Sequence, residues 1–173
     1  LDKTGGIVGA GSWNSVSTLE NNPYMFSKTI AERAAWDIAA AQDRWQLISI
    51  NPGTVLGPAL GANPTSASFD RVRSLADGTF RDGLPPVRFG MVDVRDVAEA
   101  HFRAGFLPGA SGRYLIAEKV YSFGDLAEML KKRYGDAWLF PVNTALPEGL
   151  PHYAWDTGKS IKELGLHYRR VED

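Results

Sequence analysis

Apolar residues recur at Ile30, Ala31, Ala34, Ala35 and Ile38 with charged residues between them, a spacing that lays a stripe along one side of an α-helix. Asn22 directly before Pro23 marks the start. Asparagine caps free N–H groups, and a proline at the first helical position gives up none that the helix would use. The pattern predicts a helix over residues 23–42. The period then changes: Leu47-Ile48-Ser49-Ile50 is a short buried-strand run closed by Asn51-Pro52-Gly53, and Gly and Pro predict loop to about Thr65. Ser68 to Ala76 predicts a short helix stopped at Gly78. Phe89 to Val94 reads as a strand running into a helix to about Phe106, opened by Asp96 and Glu99 in a capping-box pattern. Arg113 to Ala117 is a third strand. Ser122 and Asp125 open a helix that stops at Gly135, and Asp156 caps a last helix from Lys159 to Leu164 with Gly165 behind it.

Strands alternating with helices predict an α/β fold with a largely parallel sheet. Three strands are few for a doubly wound sheet, so the pattern reads as half a fold. The 173 residues are 44% apolar, enough for a core in one domain or a little more. Nineteen basic residues against 20 acidic ones give a net charge of −1, which predicts neither a nucleic-acid partner nor an anionic membrane surface. No apolar run is long enough to span a bilayer. The absence of cysteine excludes disulfides, thiolate metal sites and cysteine nucleophiles, and fits a reducing cytoplasm. The three histidines lack paired ligand spacing, so no metal site is expected. The chain begins at Leu1 without a signal segment and is expected to be part of something longer.

Tyr24 and Lys28 are four apart on the first helix, so their side chains leave the same face one turn apart. A phenol has a pKa near 10 and is a poor proton carrier at neutrality. An ammonium beside it favours the phenolate and makes the pair a usable general acid and base. The spacing alone is equally that of a surface lysine beside a half-buried tyrosine.

Context adds to it. The run Pro23-Tyr24-Met25-Phe26-Ser27-Lys28-Thr29-Ile30-Ala31-Glu32-Arg33-Ala34-Ala35-Trp36 resembles the active-site helix of extended short-chain dehydrogenases/reductases, in the dihydroflavonol, cinnamoyl-CoA and aldehyde reductase branch. Four further stretches follow in that family's order. Asn51 to Pro58 resembles its loop against the nicotinamide, and Met91 to His101 its strand-to-helix signature. Gly112-Arg113-Tyr114-Leu115 resembles its next strand, and Asp156 to Leu166 its closing helix.

The resemblance implies the C-terminal half of a Rossmann-type doubly wound parallel sheet with a small α/β substrate-binding cap. It divides the chain into a partial Rossmann domain over 1–60, holding the helix 23–42, and a mixed remainder over 61–173. In that remainder a Rossmann strand and helix return at about 87–106 among cap segments. It implies carbonyl reduction with NADP or NAD, NADP slightly favoured, on a small-molecule aldehyde or ketone. Tyr24 would protonate the carbonyl oxygen, and Lys28 would hold the ribose hydroxyls. Pro52, Gly53 and Val55 would lie against the nicotinamide, largely through backbone. A homodimer of the complete protein is also implied.

The alternatives are a sugar-nucleotide epimerase or dehydratase of the same superfamily, and a non-catalytic remnant or binding module. The family's glycine-rich phosphate turn is not found. Gly5 to Gly11 has the wrong spacing and reads as a flexible loop, and Ser12, Ser15 and Ser17 read as loop residues rather than the catalytic serine. A chain without that first half is expected to be inactive alone and to expose a strand edge and apolar surface. Trp138, Phe140, Tyr153 and Trp155 read as cap packing. Phe89, Met91 and the stretch 59–68 are candidates for the pocket wall.

Overall fold

The computed structural model describes residues 6–62, 65–149 and 152–173. Seven strands and five helices alternate along the described residues: β1 (Gly6–Val8), α1 (Pro23–Ala40), β2 (Ile48–Pro52), β3 (Thr54–Leu56), α2 (Ala67–Ala76), β4 (Arg88–Asp93), α3 (Val94–Phe106), β5 (Gly112–Ile116), β6 (Lys119–Ser122), α4 (Phe123–Tyr134), β7 (Tyr153–Trp155) and α5 (Gly158–Leu164). The main helices and three longest strands fall where hydrophobic period put them. The short strands β1, β3, β6 and β7 do not announce themselves, because three or four residues are too few to establish an alternation.

β2 and β5 pair in parallel from Ile48–Gly112 to Pro52–Ile116. Gly53 continues that ladder by donating its N–H to the Ile116 carbonyl at 2.9 Å. The chain then crosses to β4, against which β3 runs parallel from Thr54–Met91 to Leu56–Asp93. β6 flanks β4 antiparallel, from Arg88–Ser122 to Met91–Lys119. The crossing demands glycine. A Cβ on Gly53 would lie 2.3 Å from the Gly90 carbonyl oxygen, and one on Gly90 would lie 2.9 Å from the Trp155 indole. Residues 54–56, expected as loop, are therefore strand.

β4 separates two apolar clusters by its pleat, successive side chains pointing to opposite faces. Val92 enters a cluster with Ala100, Ala104, Tyr114, Ile116, Leu164 and Leu166, formed by α3, β5 and α5. Met91 enters another with Leu75, Tyr121, Phe123 and Leu126, from α2, β6 and α4. Met91 is wholly buried there, and Phe89 packs edge-on against Phe123 at 5.0 Å. Met91 is thus core rather than pocket wall. In the stretch 59–68, residues 63 and 64 lie outside the described residues.

Several local expectations change. The glycine run is not all loop: Gly6–Val8 form β1, parallel to β7 with Gly6 opposite Tyr153, while Gly5 lies outside the described residues. α3 starts at Val94, capped by Asp93, whose carboxylate accepts the Arg95 N–H at 2.7 Å. Asp96 is freed from capping and is buried at 1% exposure, accepting the Arg169 N–H at 2.8 Å and pairing with its guanidinium. Ser122 and Asp125 do form a reciprocal capping box on α4. At α5 the cap position is Thr157, and Asp156 instead accepts the Gly158 N–H at 2.9 Å. The aromatic stretch splits, Trp155 lying on Gly90 and Trp138 57% exposed. No helix of the described residues is long and apolar enough to cross a membrane.

Candidate active site

α1 begins as the Asn-Pro pair requires. Asn22 Oδ1 accepts the Met25 N–H at 3.2 Å, and Pro23 takes the first helical position. Tyr24 therefore sits in the first turn and Lys28 one turn later. The Lys28 ammonium lies 5.4 Å from the Tyr24 ring centroid, so the two expected groups are brought together. Tyr24 is 66% exposed and opens onto solvent. Lys28 has no carboxylate within ion-pair distance among the described residues, so its three donors are available.

No side chain of α1 is fully buried, although Phe26, Ala35, Trp36 and Ala39 are half-buried. A polar clamp adds to that packing. Arg113 of β5 meets Glu32 with two parallel bonds, Nε to Oε1 at 2.8 Å and Nη2 to Oε2 at 3.0 Å. From β2, Ser49 donates to Glu32 Oε1 at 2.6 Å and Asn51 to Oε2 at 3.0 Å. The other Arg113 nitrogen donates to the Ala10 and Ser12 carbonyls, both at 2.7 Å. The Trp13 ring lies 4.0 Å from the Arg113 guanidinium and 5.2 Å from that of Arg33. Burial pushes the Glu32 carboxyl up. The bonds from Arg113 and Ser49, with the guanidinium charge, outweigh it and hold the pKa at about 2.

Pro52 closes β2 on its exposed side, directly after Asn51, and Gly53 forms the crossing to β3. Val55 pairs with Val92 and packs its side chain on the apolar cluster. Ser12 and Ser17 accept local hydrogen bonds from Gly9 and Asn14. No group of three or more His, Asp or Glu able to hold a metal ion occurs among the described residues. A groove of about 510 Å³ between β2 and α3 is lined by Ile48, Ile50, His101 and Ala104, but not by Tyr24 or Lys28.

Sequence reading passed over Glu32 and Arg113. The signal was present: Glu32 is one turn beyond Lys28, and Arg113 is a lone charge in the strand Gly112–Ile116. A charge in such a strand needs a partner.

These elements define a Rossmann-like α/β protein with a tyrosine–lysine pair on a helix feeding a parallel strand. More specifically, the chain belongs to the NAD dependent epimerase/dehydratase family, whose model matches residues 8–116. It is 34% identical over 170 residues to cinnamoyl-CoA reductase 1 of Arabidopsis thaliana, covering 94% of this chain and 47% of that protein. The yeast methylglyoxal/isovaleraldehyde reductase Gre2, solved with NADPH, superposes with a TM-score of 0.82 at 25% identity, covering 98% of this chain and 55% of that one. Gre2 from Candida albicans, also solved with NADPH, gives 0.80 at 28% identity, with 99% and 55% covered. The chain spans about half the length of the curated relatives it matches.

Proposed function

We propose that the complete protein carrying this chain is a nicotinamide-dependent carbonyl reductase, using NADPH in preference to NADH, on a small aldehyde or ketone. The observation that carries the reading is the exposed Tyr24–Lys28 pair on a helix that Glu32 ties to the end of β2. The residues suit the nicotinamide end of such a cofactor: Lys28 has free donors for ribose hydroxyls, and Pro52, Gly53 and the Val55 backbone offer a surface with little side chain. The bound cofactor supplies hydride. Tyr24 then donates its proton to the carbonyl oxygen as negative charge develops there, and Lys28 stabilises the resulting tyrosinate. In the reverse direction the tyrosinate accepts the alcohol proton. No role in holding pyrophosphate falls to the Gly6–Gly11 run, whose described residues form β1 and a turn.

The test uses the complete gene product. With NADPH, wild type is expected to reduce members of an aldehyde and ketone panel, and Tyr24→Phe to lose that activity while still binding NADPH in calorimetry. Turnover of UDP- or GDP-sugars with no carbonyl reduction would replace this reading by an epimerase or dehydratase. Near-normal reduction by Tyr24→Phe would remove Tyr24 from the mechanism. A homodimer of the complete protein, in which Met25, Ile30 and Ile38 on α1 become covered, is part of the same reading and is checked by sedimentation.

A further inference from the structure

Tyr24, Lys28 and Glu32 follow one another at intervals of four along α1, each within reach of the next. Unpaired glutamate and lysine at that spacing form a helix ion pair, yet none joins Lys28 to Glu32 among the described residues. Both Glu32 oxygens are taken, Oε1 by Arg113, Ser49 and, more distantly at 3.4 Å, the Trp36 indole N–H, and Oε2 by Arg113 and Asn51. Arg113 is the cation in ion-pair contact with this carboxylate among the described residues, β2 contributes neutral donors, and Arg33 of α1 faces the Trp13 ring instead. The guanidinium and carboxylate side chains are each 17% exposed, so neither is readily released to water.

We propose that Arg113 is a positioning residue for the acid/base pair: by saturating Glu32 it keeps that carboxylate away from Lys28 and leaves the ammonium to Tyr24. The proposal rests on the reading of Tyr24 and Lys28 given above. Arg113 also ties the helix to the Ala10–Ser12 backbone, but that tie is not what sets the charge on Lys28. Remove the guanidinium and Glu32 turns to the next cation, one turn back. Its negative charge then offsets the ammonium that Tyr24 needs in order to act as base.

The experiment compares wild type, Arg113→Met, Arg113→Lys and the double variant Glu32→Gln/Arg113→Met in the complete gene product. The readout is the pH dependence of kcat for alcohol oxidation with NADP⁺. This direction needs the tyrosinate, so its rate rises with pH through the titration of the base. In Arg113→Met the rising limb is expected to move to higher pH by about one unit, a roughly tenfold loss at neutral pH. The double variant has no carboxylate to capture Lys28, and its limb is expected to return towards wild type. Arg113→Lys keeps a cation on Glu32 and stays near wild type.

A merely structural role predicts lower activity and stability in the double variant than in Arg113→Met, with the limb unmoved, and that result overturns the proposal. Equal shifts in the single and double variants overturn it as well. A crystal structure of Arg113→Met gives the same decision without turnover: Lys28 Nζ within about 4 Å of the Glu32 carboxylate is expected, and a separated pair refutes the idea. If wild type oxidises no alcohol and reduces no carbonyl, the failure belongs to the carbonyl-reductase reading, and the positioning role falls with it.

Discussion

The α1 face and the layer formed by α3 and α5 around β4 are built on opposite physical terms. α1 fully buries no side chain, and Glu32, Arg113, Ser49 and Asn51 tie it to the sheet. Around β4, in contrast, Val92, Ala100, Tyr114, Ile116 and Leu164 lie at 0% exposure, and the buried Asp96 carries Arg169. Apolar burial is non-directional and sets stability; bidentate hydrogen bonds are directional and set angle and register. A helix proposed to present a phenol and an ammonium in one orientation is better served by the second kind. The α1 face is thus tied by directional bonds, and the centre by apolar burial.

That contrast can be broken from either side. The largest effect is on chemistry: Tyr24→Phe in the complete protein should lower kcat by about 10²–10⁴ while leaving its thermal midpoint almost unchanged, as expected for a side chain 66% exposed. Next is the centre. Arg169→Ala removes the guanidinium from the buried Asp96 carboxylate, leaving it the backbone N–H of residue 169, and should cost about 2–3 kcal/mol in urea unfolding, with some loss recovered by solvent at the half-exposed position. Gly53→Ala sits at the seam between the two regions. With its new Cβ 2.3 Å from a carbonyl oxygen, backbone must move, at about 1–3 kcal/mol, and NADPH affinity should fall together with stability.

The clamp itself has a pH signature. The Glu32 pKa is lowered from 4.5 to about 2, so its contribution to stability is full above about pH 4.5 and is lost as pH falls through about 2. Glu32→Gln should flatten the urea midpoint against pH in that window and leave the slope above pH 5 as it was. Smallest of all is Phe106→Ser on α3. Phe106 is 75% exposed and touches Phe102 at 4.9 Å between centroids, so about 0.5 kcal/mol or less is expected. A cost above 1 kcal/mol would mean that this outer face is packed in solution.

Much of this was written locally. The helix start at Asn22-Pro23, the Tyr24–Lys28 spacing, the Ser122–Asp125 capping box and the left-handed cap at Gly165 are decided by residues within a turn of one another. So their chemistry is visible in order along the chain. The ordered motifs likewise make the family legible in the sequence. Asp93 and Asp96 show where local reading stops. Both suit a helix start, and only the arrival of Arg169, 73 residues away, decided that Asp96 is buried and Asp93 caps.

The same holds for everything built across the sheet. β1 becomes a strand because β7 lies beside it, and β3 because Gly53 lets the chain pass within contact of Gly90. Glu32 and Arg113 stand 81 positions apart, and their meeting depends on α1 crossing the β2–β5 ladder. Sequence alone determined that Tyr24 and Lys28 share one face of a helix, because spacing is a property of that helix. Tertiary structure decided which charge faces which, because hydrogen bonds and ion pairs act only over the few ångströms that folding closes.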